Sequence, residues 1–212
     1  MKIGIIAIVL FLTTSLLIGE EAKAEEMFFK YQKAQNYENF KNAVELYNHN
    51  PNAEISNTSV LMLSYLYTME LNRNLDILGQ RRDSLSTKTK FSYANLLLEL
   101  GRLEEAIDVY SELNKDFPIW SCPWRHKGQA LLEQEKFEAA EKSTLKAIET
   151  REDHFDAYLQ LARIQIELGK YEIALQTLNN GMKYSETDTE GEVTDQEVIE
   201  LKTQLEELLK AE

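Results

Sequence analysis

A single cysteine, Cys122, is all that 212 residues offer for crosslinking. No internal disulfide can form, so the interior must hold by packing alone. Cys122 reads as a small, partly buried residue at the start of a helix; pairing with another chain is the alternative. Basic residues are also few, with 23 Lys and Arg against 36 Asp and Glu and a net charge of −13. Nucleic-acid binding needs clustered cations that release counterions from phosphates, and adhesion to anionic lipid needs a cationic face. Neither partner is expected, and the surplus of acid reads as a solubility device.

The motifs of the commoner catalytic machines are missing as well. H-E-x-x-H, G-x-S-x-G and G-x-x-x-x-G-K-[ST] do not occur. His49, His126 and His154 lie far apart, without further ligands at metal spacing. Ser143-Thr-Leu-Lys146 spells the S-x-x-K pair of acylating enzymes but lacks the S-D-N and K-T-G elements that accompany it. It reads as coincidence. No cofactor is implied and no enzyme is expected.

What is present begins with a targeting signal. Met1-Lys2 gives a positive start, Ile3 to Gly19 is an apolar run of about 17 residues, and Ala22-Lys23-Ala24 is the small-x-small pattern that signal peptidase reads. Cleavage would leave Glu25 as the N-terminus. No cysteine follows the run, so a lipobox anchor is not encoded. The expectation is an exported protein, periplasmic or extracellular, with no membrane contact beyond the signal segment. An uncleaved anchor is the alternative, since the run approaches the roughly 20 residues that span a bilayer.

A spacing of 34 residues organises the second half of the chain. Leu103, Phe137 and Tyr171 recur at that interval, as do Ala106, Ala140 and Ala174, and Leu113, Ala147 and Gly181. A fixed period of this length marks one helix–turn–helix unit stacked on copies of itself. Phe91, Ala94, Leu97 and Leu98 mark a first helix ended by Gly101; Leu103, Ala106, Ile107, Tyr110 and Leu113 share one face of a second, which Pro118 closes. The next unit opens at Ser121, with Pro123 in the first helical turn, where its missing N–H costs nothing. The units are 87–120, 121–154 and 155–188.

Both flanks read as helix. Residues 25–86 predict two degenerate hairpins: Phe28 to Gln35 with Tyr37 to His49, and Val60 to Leu71 with Leu75 to Leu85. Residues 189–212 predict an acidic linker and a cap helix, opened by a capping box of Thr194 and Glu197 and striped by Val198, Leu201, Leu205 and Leu208. Glu186, Asp188, Glu190, Gly191, Val193 and Glu197 also match the spacing of an EF-hand calcium loop. Glu at the first and third ligand places overfills such a loop, and a solvated linker is the plainer reading.

The chain resembles the tetratricopeptide repeat family, whose pattern is W-x2-L-G-x2-Y, then A-x3-F, then P. Trp124 and Gly128 match its opening, with Lys127 and Leu131 in place of its leucine and tyrosine. Tyr158, Leu161 and Ala162 match it in the next unit, and Ala106, Tyr110 and Pro118 match the closing half in the first. The resemblance implies an all-α, right-handed solenoid of antiparallel helix pairs with a C-terminal capping helix. It also implies a groove lined by the first helix of each pair. Carried over by position, the groove residues are Phe91, Asn95, Leu98, Arg125, His126, Gln129, Gln160, Arg163 and Ile166. Of the five positions with which one subset of the family clamps a chaperone's C-terminal carboxylate, only Asn95 is kept; Phe91, His126, Asp156 and Gln160 occupy the others.

Together these readings describe a non-catalytic exported scaffold, in a bacterial cell envelope, that holds a protein or peptide partner in its groove. Arg125 and Arg163 are placed to meet acidic groups of that partner or, alternatively, to pair with surface glutamates. A calcium-responsive module at 186–197 and an unrecognised enzyme are the alternative functions.

Overall fold

The computed structural model describes residues 18–48, 57–185 and 195–211. By contact it divides into two compact units, residues 1–80 and residues 81–212.

The first unit contains α1 (Ile18–Lys33), α2 (Tyr37–Asn48) and α3 (Asn57–Gln80). The tight turn between α1 and α2 is held by asparagines: Asn36 Oδ1 accepts from the Asn39 N–H at 3.0 Å, and Asn39 Nδ2 donates to the Ala34 carbonyl at 2.8 Å. Phe28, Tyr31, Ala43 and Leu66 form the interior. The Tyr31 hydroxyl, buried with its ring, donates to Glu70 Oε2 at 2.7 Å, and Arg73 pairs with Glu70 at 2.5 Å. Burial, and next the Glu70 carboxylate, push the phenol's pKa up. The Arg73 hydrogen bond holds the carboxyl below its ordinary range.

Two expectations are corrected here. The predicted second hairpin is one continuous helix, α3, through Leu71–Leu75. No Gly or Pro interrupts that stretch. Its asparagines bond back along the helix instead of capping a new one: Asn72 Nδ2 donates to the Thr68 carbonyl at 2.9 Å and Asn74 Nδ2 to Glu70 Oε1 at 3.3 Å. α1 also begins at Ile18, ahead of the expected Phe28.

The second unit opens with a 3₁₀ turn at Arg82–Ser84. Then follow α4 (Thr87–Glu99), α5 (Leu103–Asp116), α6 (Ser121–Glu133), α7 (Phe137–Thr150), α8 (Phe155–Glu167), α9 (Tyr171–Met182) and α10 (Asp195–Ala211). This is a helical solenoid of three hairpins and a terminal helix. Ser86 caps α4 by accepting from the Thr89 N–H at 3.2 Å. The turn inside each hairpin is built identically. Arg102 N–H reaches the Leu97 carbonyl, Lys136 N–H that of Leu131 and Lys170 N–H that of Gln165, at 2.8, 2.9 and 2.8 Å. Each is the six-residue closure of a Schellman motif, with the preceding residue left-handed. Gly101 and Gly169 take that conformation at φ 70° and 68°, whereas in the middle hairpin it is Glu135, at φ 58°.

The periodic residues form the core. Ala94, Leu97, Ala106, Tyr110, Leu113, Ala140, Ala147, Ala162 and Ala174 are all buried. Alanines at the crossing points let helices approach, and the aromatics fill the space between pairs. α10 closes the stack: its Leu201 and Leu205 are buried among Phe155, Leu159, Ala174 and Leu178 of α8 and α9. Among the described residues no helix is long and apolar enough to cross a membrane.

Candidate partner-binding groove

The helices of the second unit fall into two rows, α4, α6, α8 and α10 in one, α5, α7 and α9 in the other. Besides their sequential neighbours, α4 packs on α6, α6 on α8 and α8 on α10. That close approach within the first row makes it the inner side of the stack, and the sequence-predicted groove residues all lie on it.

At the α4 end the inner row carries an aromatic cluster. The Phe91 ring lies 4.7 Å from Trp120 and 5.3 Å from His126, and the imidazole stacks on Tyr110 at 5.8 Å with 18° between the planes. The Tyr110 hydroxyl donates to Asn95 Oδ1 at 2.8 Å. Arg125 Nη2 lies 2.9 Å from His126 Nε2, which accepts from it. Enclosure among the rings, then the Arg125 charge and last His154, pull the imidazole pKa down to about 3, so the ring is neutral. Beside it, Lys127, which stands where the repeat pattern has leucine, is half-buried and its pKa is lowered by that burial.

Further along the row, Gln129 Nε2 donates to Glu133 Oε1 at 3.2 Å, and Arg163 Nη2 reaches Glu197 Oε1 of α10 at 3.4 Å. Both members of that pair are well exposed, so it contributes little to stability. Ile166 is half-buried beside them.

Two of the predicted groove residues belong to the interior instead. Leu98 is only 6% exposed. Gln160 is 7% exposed, and its Nε2 donates to the Arg125 carbonyl at 2.9 Å and to Thr144 Oγ1 at 2.8 Å. Gly128 of α6 leaves the room that this amide fills: a Cβ there would lie 2.6 Å from Gln160 Nε2. Gln160 therefore ties α8 to α6 and α7 and does not face a ligand.

The other singled-out residues are accounted for structurally. Ser143 is buried and its hydroxyl donates to the Trp124 carbonyl at 2.8 Å, while Lys146 pairs with Glu149 at 2.8 Å, so the S-x-x-K pair is split between core and surface. Trp124 Nε1 donates to the Pro118 carbonyl at 3.1 Å. Cys122 is half-buried in the first turn of α6. His154 is buried and shares a hydrogen bond with Ser121. Of the calcium-loop spacing, Glu186, Asp188, Glu190, Gly191 and Val193 lie outside the described residues, as does Thr194 of the capping box; Glu197 stands in α10. Among the described residues no three His, Cys, Asp or Glu are grouped to hold a metal ion.

Sequence reasoning missed a hollow of about 480 Å³ between α6, α8 and α10. Leu132, Phe137, Ile166 and Leu201 supply its apolar lining, and Glu133, Glu135 and Glu167 its carboxylates. A signal was present: Glu99, Glu133 and Glu167 recur at the 34-residue interval, and so do Leu98, Leu132 and Ile166.

A stack of helical hairpins with two rows of helices is the architecture of a tandem helical repeat. Family models named tetratricopeptide repeat match residues 90–118 and 129–190, so this part of the chain consists of tetratricopeptide repeats. Solved structures share the fold. The TPR2B domain of yeast Sti1, in its complex with pHsp70, is 24% identical, with 56% of this chain and 98% of that one covered and a TM-score of 0.51. The Yersinia enterocolitica type III secretion chaperone SycD, with a peptide of the translocator YopD, is 16% identical over 59% and 94% of the two chains, with a TM-score of 0.53. The first TPR of Spaghetti (RPAP3), bound to the HSP90 peptide SRMEEVD, is 18% identical over 58% and 93%, with a TM-score of 0.52. No curated protein sequence matches the chain.

Proposed function

We propose that the protein is a non-catalytic scaffold whose inner row of helices holds a segment of a partner protein. The observation that carries this reading is the composition of that row. Arg125, Gln129, Arg163 and Ile166 present polar and apolar surface together. Side chains of that mix bond a peptide backbone and pack against its apolar side chains. Structures of the same fold are complexes with peptides, which supports the reading by likeness of architecture. Co-purification of the full chain tests it. A partner should be recovered with the wild type and lost when Phe91, Arg125 and Arg163 are replaced by Ala. Recovery of the same partners with that variant would refute the groove.

The protein acts outside the cytoplasm, in a bacterial cell envelope, in this reading. The support is the apolar run Ile3 to Gly19 with Ala22-Lys23-Ala24 behind it. Mass spectrometry of the expressed protein should give a chain beginning at Glu25; an intact N-terminus in the membrane fraction would favour the anchored form.

A further inference from the structure

The hollow between α6, α8 and α10 has an unbalanced charge. Glu133 accepts only from the Gln129 amide. Glu135 and Glu167 stand exposed, and among the described residues none of the three carboxylates is in an ion pair. The one cation in the lining, Arg163, already reaches Glu197. Beneath these carboxylates lie Leu132, Phe137, Ile166 and Leu201, of which Leu201 is buried and the others half-buried.

Glu135 adds a conformational clue. It holds the left-handed turn position that glycine holds in the other two hairpins. A side chain there costs free energy that glycine would not. The one hairpin that carries a carboxylate at this point is one of the two that border the hollow.

We infer that this hollow takes a lysine or arginine of the partner segment together with an adjacent bulky apolar side chain. The alkyl stem and the apolar neighbour would rest on Leu132, Phe137, Ile166 and Leu201, while the cationic head lies among the three carboxylates. Such a stem packs on apolar surface while its head stays at the rim. Charge complementarity selects this occupant: an acidic segment would meet three unpaired carboxylates at one end of the row. The inference rests on the groove reading and gives its partner a chemistry.

Selection of a displayed library of random peptides on the full chain tests it. The expected winners place Lys or Arg beside Leu, Ile, Met or an aromatic residue. Their affinity should fall as salt rises, and by about tenfold or more in Glu133→Gln/Glu135→Gln/Glu167→Gln and in Ile166→Asp. All four positions are exposed or half-buried, and circular dichroism confirms that the variants fold. Acidic or uncharged winners, indifferent to the glutamine triple but lost with Phe91→Ala/Arg125→Ala, would overturn the inference and leave the groove standing. Winners indifferent to both sets, or no winners, would overturn both. Spermidine binding as tightly as the peptides would reassign the hollow to a small polycation and overturn the peptide inference.

Discussion

Gly181 and Tyr158 occupy a space that admits only one of their side chains, because a Cβ built on Gly181 would fall onto the Tyr158 Cβ and ring. The equivalent pairs one and two repeats earlier are Ala147 with Trp124 and Leu113 with Lys90. Glycine inside a helix ordinarily costs about 0.5–1 kcal/mol relative to alanine. Here the clash reverses the sign. Gly181→Ala should destabilise the second unit by about 1–3 kcal/mol, read as a lower urea midpoint. A midpoint that rises would mean that α8 and α9 are not in such close contact.

Glu135 gives the opposite expectation. At φ 58° it sits where Gly101 and Gly169 stand in the neighbouring hairpins. Glu135→Gly should stabilise by about 0.5–1 kcal/mol, the relief of left-handed strain being partly offset by glycine's freedom in the unfolded chain. Thermal unfolding of the pair checks this, and no gain would show that the turn carries no strain.

The repeat was legible because its period and its size alternation are both packing constraints. Ala106, Ala140 and Ala174 are small in sequence since helices cross there, and all three are buried. The cap helix was legible from Leu201 and Leu205 for the same reason. What failed did so at places where periodicity says nothing about direction. Gln160 looks like a surface residue by type, and only the gap left by Gly128 turns its amide inward. Asn72 and Asn74 lie in the expected break between Leu71 and Leu75, yet their amides bond back along one continuous helix. The hollow went unread despite its periodic glutamates because Leu132, Phe137, Ile166 and Leu201 belong to four helices and meet only when these stack.

Gln160 should therefore behave as a structural residue. Gln160→Leu leaves the Arg125 carbonyl and the Thr144 hydroxyl without their shared donor, a loss of about 1–3 kcal/mol. Denaturant unfolding should record that loss, while partner affinity at temperatures where the variant is folded should be unchanged. Weakened binding by a fully stable variant would restore Gln160 to the groove.

His126 imposes a pH dependence. Enclosure holds its pKa at about 3 in the folded chain, against an ordinary value of 6.5. Between those values the unfolded chain binds the extra proton, so the stability is fully present above about pH 6.5 and declines as pH falls toward 3. From pH 7.5 to pH 5, where most carboxylates remain ionised, the loss should be about 2 kcal/mol. His126→Phe keeps an aromatic ring in the cluster and cannot take a proton, so its urea midpoint should change less over that interval. Equal pH dependence in both proteins would contradict a neutral, enclosed imidazole.

Site-specific photocrosslinking reads the central claim directly, that a partner lies along the inner row of helices. A benzophenone side chain in place of Gln129, on the inner row, is compared with one in place of Leu145, an exposed residue of α7 in the other row. Irradiation in the native host should give a discrete protein adduct from position 129 and none from position 145. Adducts from 145 alone, or equally from both, would contradict it.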